Sequence, residues 1–117
     1  MRPALLVLLA PILAAADRVP AVTPTGTPRL CIPLSQIRQT LVRDDRTIDF
    51  VMTGRRVYRN VLPSACPQLG AERRLAYATS LGELCSTDTV TVLFDAPLMR
   101  GARCGLGTFQ PVALTAR

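Results

Sequence analysis

The chain contains no histidine, no lysine and no tryptophan, and each absence removes a class of chemistry. Without histidine no Ser-His-Asp or Cys-His arrangement can be built, and the commonest general base at neutral pH is missing. The commonest side-chain metal ligand goes with it. There is no Gly-x-Gly-x-x-Gly run and no Walker sequence, so nucleotide cofactors are not expected. There is no Cys-x-x-Cys pair of the kind that lowers a thiol pKa for redox work. Carboxylate oxygens suit calcium, but the EF-hand ligand spacing is also absent. The expectation is therefore no cofactor and no metal. Two tyrosines and three phenylalanines leave little stacking surface for nucleic acid, which is not expected as a partner.

What is present begins with an export signal. Arg2 supplies a positive n-region, Ala4 to Leu13 an apolar run, and Ala14-Ala15-Ala16 the small residues that a signal peptidase accepts. The apolar run is shorter than the roughly 20 residues a bilayer-spanning helix needs. Residues 1–16 read as a signal peptide, with no transmembrane span in the mature chain and a periplasmic or secreted location. Four cysteines, Cys31, Cys66, Cys85 and Cys104, are then expected to form two disulfides, because an oxidising compartment preserves them and a small domain benefits from them. A four-cysteine zinc site is the competing arrangement; the wide separate spacing, without close pairs, argues against it. The protein is basic, with a net charge of +6, and every cation is an arginine.

The mature chain opens with a proline-rich stretch, residues 17–30, expected to be a flexible lead-in outside the core. Residues 31–114 read as one β-rich domain organised around Ser35 to Leu62. That stretch has the pattern of two successive hairpins, turning at Asp44-Asp45-Arg46 and at Thr53-Gly54-Arg55. In its middle run Ile48, Phe50 and Met52 share one face and Thr47, Asp49 and Thr53 the other, the period of a half-buried strand. Ile37 to Arg43 and Arg56 to Val61 are its neighbours, and Pro63 ends the last. The segment from Leu62 to Glu72 reads as a loop pinned at Cys66. Residues 73–79 alternate as a strand but also carry helix-forming composition; the strand reading is preferred. Ser80 and Glu83 have capping-box spacing, which predicts a single helical turn ending near Cys85. Thr89 to Phe94 is the clearest strand, with Val90, Val92 and Phe94 inward. Asp95 to Arg103 reads as a loop, and Gly107 to Leu114 as a final edge strand, because Pro111 is tolerated there.

The expected fold is mainly β: a small antiparallel sheet or barrel of five to six strands with one short helical turn. If the strands ran as a simple meander, loops would alternate between its two ends. Cys66 and Cys104 would then share one end and Cys31 and Cys85 the other, which favours Cys31–Cys85 and Cys66–Cys104 over the other two pairings. The argument fails if a crossover breaks the meander or if residues 73–79 are helical.

The order Cys31-Ile32, Asp44-Asp45-Arg46-Thr47, Tyr58-Arg59, Cys66, Cys85 and Cys104 resembles a domain-of-unknown-function family of small exported proteobacterial proteins. The resemblance covers roughly Cys31 to Val112. It implies an exported, cysteine-stapled domain and transfers no catalytic residue.

Two functional readings follow from the residues. The first is a non-enzymatic binding or structural module of the cell envelope, contacting an anionic envelope component or an acidic protein through Arg55, Arg56, Arg59, Arg73 and Arg74, with Tyr58 as an aromatic contact. Pairing of the third and fourth strands would bring Arg56 and Arg74 together. The bland counterpart is a solvated face balanced by Asp44, Asp45, Asp49 and Glu72. The second reading is a small hydrolase or lyase using Asp44, Asp45 or Asp49 with Arg46 or Tyr58. Neighbouring residues of a hairpin diverge, so turn capping and a salt bridge to Arg46 are the simpler roles for Asp44 and Asp45.

Overall fold

A computed structural model describes residues 19–79, 81–95 and 98–114. The signal-peptide segment and Ser80 lie outside the described residues. In chain order the elements are β1 (Val22–Pro24), β2 (Cys31–Pro33), β3 (Ile37–Val42), β4 (Thr47–Met52), β5 (Val57–Val61), α1 (Leu69–Glu72), β6 (Leu75–Tyr77), β7 (Glu83–Cys85), β8 (Thr89–Asp95), β9 (Leu98–Gly105) and β10 (Phe109–Leu114). They form a five-stranded sheet in the order β1-β10-β5-β4-β3, a β2-β7 ribbon and a three-stranded β6-β8-β9 sheet, all antiparallel. The fold is mainly β, as expected, though its strands are shorter, more numerous and split among three sheets. No helix of the described residues is long and apolar enough to cross a membrane.

The two hairpins between Ser35 and Leu62 form as the alternation predicts. Ile48, Phe50 and Met52 are buried, and Phe50 meets Phe109 edge-on with ring centroids 5.5 Å apart. Around them all three sheets close one core: Val42 and Tyr58 from the large sheet, Ile32 and Leu84 from the ribbon, Val90 and Val92 from the third. Gly54, at φ 82°, and Arg55, at φ 66°, make the β4–β5 turn, a backbone state that glycine adopts freely.

Both disulfides form in the expected pairing. Cys31–Cys85 joins directly opposed residues of β2 and β7, and Cys66–Cys104 ties the loop before α1 to β9. The meander assumed for that pairing does not hold, because β10 returns between β1 and β5. The pairing survives because β2 and β7 meet directly.

Five local expectations are corrected. The proline-rich lead-in does not stay outside the fold: Val22–Pro24 is strand β1, and Arg29 bridges to Phe109. β10 is consequently an interior strand. Pro111 is accommodated there because its carbonyl accepts from the Thr25 amide just past the end of β1. A residue's two ladder groups face the same neighbour, so the missing N–H falls where that short strand has stopped. Glu83 to Cys85 is strand, not a helical turn, because it pairs with Cys31–Pro33. The helical turn lies instead at α1, inside the expected loop, where Leu69 is fully buried. Finally, the expected loop from Asp95 to Arg103 supplies most of β9, paired along β8.

Candidate arginine site

The large sheet's outer face carries a charge cluster. Asp49 lies opposite Arg59 across β4 and β5. Its carboxylate accepts from Arg59 Nε and Nη2 and from Arg43 Nε, each at 2.8 Å. Arg59 Nη1 also donates to the Pro20 carbonyl at 3.0 Å, so the lead-in covers the pair, and Asp49 is fully buried. That corrects the expectation of a solvent-facing Asp49. Burial alone would raise its pKa; the Arg59 and Arg43 hydrogen bonds, aided by both positive charges, overcome this and hold it below the ordinary 3.8.

The other two carboxylates serve the turn. Asp44 Oδ1 accepts from the Arg46 amide at 2.9 Å, and Asp45 Oδ1 from the Gly70 amide at 2.7 Å, fastening the β3–β4 turn to α1. Arg46 donates to the carbonyls of Leu62 and Pro63 rather than pairing with an acid. A hollow of about 450 Å³ opens here, but its charged groups are committed to these bonds. Asp44, Asp45 and Asp49 do not converge on a common point.

The six residues expected to form a binding patch are dispersed. β5 lies between β10 and β4, while β6 pairs with β8, so no strand pairing joins Arg56 to Arg74. Tyr58 is buried, and its hydroxyl accepts from Arg29 Nη1 at 3.2 Å. Arg59 is held by Asp49. Arg55 and Arg56 are exposed at the β4–β5 turn, Arg56 Nη2 donating to Gln36 Oε1 at 2.8 Å. Arg73 caps α1 with φ 58° and donates to the Gly70 carbonyl. Arg74 is exposed and pairs with Asp95 at 3.1 Å.

Arg74 nevertheless leads to a second cationic surface, on the outer face of the β6-β8-β9 sheet. Its carbonyl accepts from the Leu93 amide, and Leu93 lies opposite Arg100 on β9. Two residues along, Thr91 lies between Ala76 on β6 and Arg103 on β9. Arg100 and Arg103 are three residues apart, and in a regular strand they would project to opposite faces. A bulge between these two pairs sets Gly101 and Ala102 against the single residue Val92. Both arginines thus oppose residues of one face of β8, and the bulge turns them to the same side.

Arg100 and Arg103 are exposed and have no acidic partner among the described residues. They border an open groove of about 530 Å³ with Thr89 and Thr91, and with Ala76, Ala78 and Gly101 adding little bulk. Gly101 is required by packing: a Cβ there would lie 2.6 Å from Phe94 Cε2. Sequence reasoning missed this pair because odd spacing within an apparent loop carries no strand signal; only the cross-strand register reveals it.

Cys31, Glu83 and Cys85 offer ligand atoms within 4.8 Å of one another, but the two sulfurs are joined in a disulfide, which withdraws them as thiolate ligands. Comparison with protein families, curated proteins and solved structures returns no match.

Proposed function

We propose that this is an exported, non-enzymatic binding module that recognises an anionic partner through Arg100 and Arg103. The observation that carries the reading is the bulge in β9, which turns two arginines without an acidic partner among the described residues to one side above an open groove. Guanidinium forks suit phosphate or carboxylate recognition, and the threonine hydroxyls beside them add neutral donors and acceptors. Export is supported by the signal-like first sixteen residues and by two disulfides, which persist in oxidising compartments. A disulfide-stapled sheet also holds the backbone that carries the arginines, so binding has to order their side chains but not the strand.

Inorganic polyphosphate is a suitable probe. The oxidised protein is expected to bind it at low salt and release it at high salt. Arg100→Ala with Arg103→Ala should abolish binding without lowering Tm, while Arg55→Ala with Arg56→Ala should leave most of it. Equal loss from both double variants would show general charge attraction and refute a defined site.

A further inference from the structure

We infer that the anionic partner is an extended acidic polypeptide segment that adds as a strand to the open edge of β9, between Arg100 and Gly105; this rests on the arginine reading above. Among the described residues β9 is the longest strand, pairs only with β8 and has no buried residue along it. Two hydrogen bonds fix the backbone directions. The Leu93 amide donates to the Arg74 carbonyl, so Leu93 turns both its ladder groups toward β6. Thr91, two residues along and opposite Ala76, does the same. Arg100 and Arg103, which oppose Leu93 and Thr91 on β9, therefore stand in non-hydrogen-bonded pairs and aim their own N–H and C=O groups away from β8. The other end of the ladder has the same phase: the Leu106 amide donates to the Asp88 carbonyl, which turns Gly105 and Arg103 outward. Among the described residues nothing pairs with these outward groups.

The residues that carry the two guanidinium groups thus also carry open backbone groups. An edge of amide donors and carbonyl acceptors is answered in full by another backbone, whereas a phosphate chain offers acceptors alone and leaves the carbonyls unmatched. Charge then selects the strand. Side chains directly opposite Arg100 and Arg103 lie within cross-strand reach of them and are favoured as Asp or Glu. The two arginines register with Leu93 and Thr91, two residues apart in β8, or about 7 Å along the strand, so acids at alternate positions of the added strand match both. The acids already present at the two ends of β8 are engaged: Asp95 pairs with Arg74, and Asp88 Oδ2 accepts from the Cys85 amide. The same charges bar a second copy of this chain, because β9 laid against β9 brings arginine beside arginine.

The test is titration of the oxidised protein, recovered after export, with the peptide acetyl-Val-Thr-Glu-Val-Glu-Thr-Val-amide, followed by backbone-amide NMR. The expected result is saturable binding that shifts the Arg100, Arg103 and Gly105 amides. Replacing both glutamates by glutamine should weaken it about tenfold, as should Arg100→Ala with Arg103→Ala, since each change removes two opposite-charge cross-strand pairs. Two N-methylated peptides probe the backbone, one methylated at both glutamates, the other at the valine between them and the threonine after them. One should lose binding and the other keep it, because alternate amides of a strand face opposite sides. Loss with the methylated glutamates marks antiparallel addition, and loss with the other peptide marks parallel addition. Equal effects of the two would overturn strand addition. Binding indifferent to the glutamine replacement would overturn the acidic assignment. Polyphosphate binding without peptide binding would overturn the polypeptide assignment and leave the arginine site standing. Failure to bind either probe would remove both proposals.

Discussion

Asp49 shows why one residue can define a face of this protein. Its carboxylate is fully buried and saturated by Arg43 and Arg59. Removing one partner of a buried ion pair leaves the remaining charges uncompensated, so Asp49→Asn should cost about 3 kcal/mol near neutral pH. The pH dependence follows from the lowered pKa. The folded protein binds the proton less readily than the unfolded chain, so the contribution is complete above the ordinary value of 3.8 and fades as pH falls through the lower folded value. The stability gap between the parent protein and Asp49→Asn should therefore be constant from neutral pH to about 5 and close in stronger acid. Urea titrations across that range measure it; a gap that persists at the acid end would show that the aspartate acts through shape rather than charge. The same residue marks a limit of sequence reading. Alternation correctly separated it from Ile48, Phe50 and Met52, but what covers it is Arg59, held in turn by Pro20, far away in sequence.

At the scale of the element, β9 carries the proposed function, and its bulge depends on close packing under Gly101. Adding a methyl there forces the Phe94 ring to move, because the new Cβ would lie 2.6 Å from its Cε2 atom. Gly101→Ala should destabilise by about 1–2 kcal/mol, the usual cost of mild overpacking. In a Phe94→Ala background the same change should be nearly neutral. Denaturant unfolding of the four proteins forms a double-mutant cycle, and additive effects would refute the contact. Legibility differed with strand length and regularity. β5 and the first half of β8 alternate in burial, and in β4 the apolar Ile48, Phe50 and Met52 recur at every second position, so a period of two made these strands readable; β3 alternates imperfectly and is legible chiefly as the partner of β4. β2 and β7, of three residues each, have no period to detect, and pairing between them decides their state. β9 is long, but its bulge breaks the parity on which a strand reading depends. The arginine pair was hidden for the same reason, whereas Arg55, Arg56 and Arg74 were visible as adjacent charges and are exposed.

For the whole molecule, the question is what holds three small sheets in one arrangement. A two-stranded ribbon of three-residue strands is not stable by itself, and β2-β7 is such a ribbon; Cys31–Cys85 closes it directly. Cys66–Cys104 acts between units, joining the buried Cys66 before α1 to β9, the edge strand of the arginine-bearing sheet. The bridged residues are 54 and 38 positions apart, and in the chain-entropy account closing loops of that size is worth about 4 kcal/mol each. Both bridges should therefore resist loss unequally in function though similarly in stability. Replacing Cys31 and Cys85 by alanine should lower Tm while the remaining folded protein still binds polyphosphate, since the ribbon lies outside the arginine groove. Replacing Cys66 and Cys104 by alanine should lower Tm and weaken binding as well, because Cys104 lies one residue beyond Arg103 in β9 and its anchor keeps the bulged strand seated. Thermal melts paired with polyphosphate titrations well below each Tm separate the two effects. Equal binding by both variants would show that β8 alone holds β9 in register and that the second bridge serves stability only.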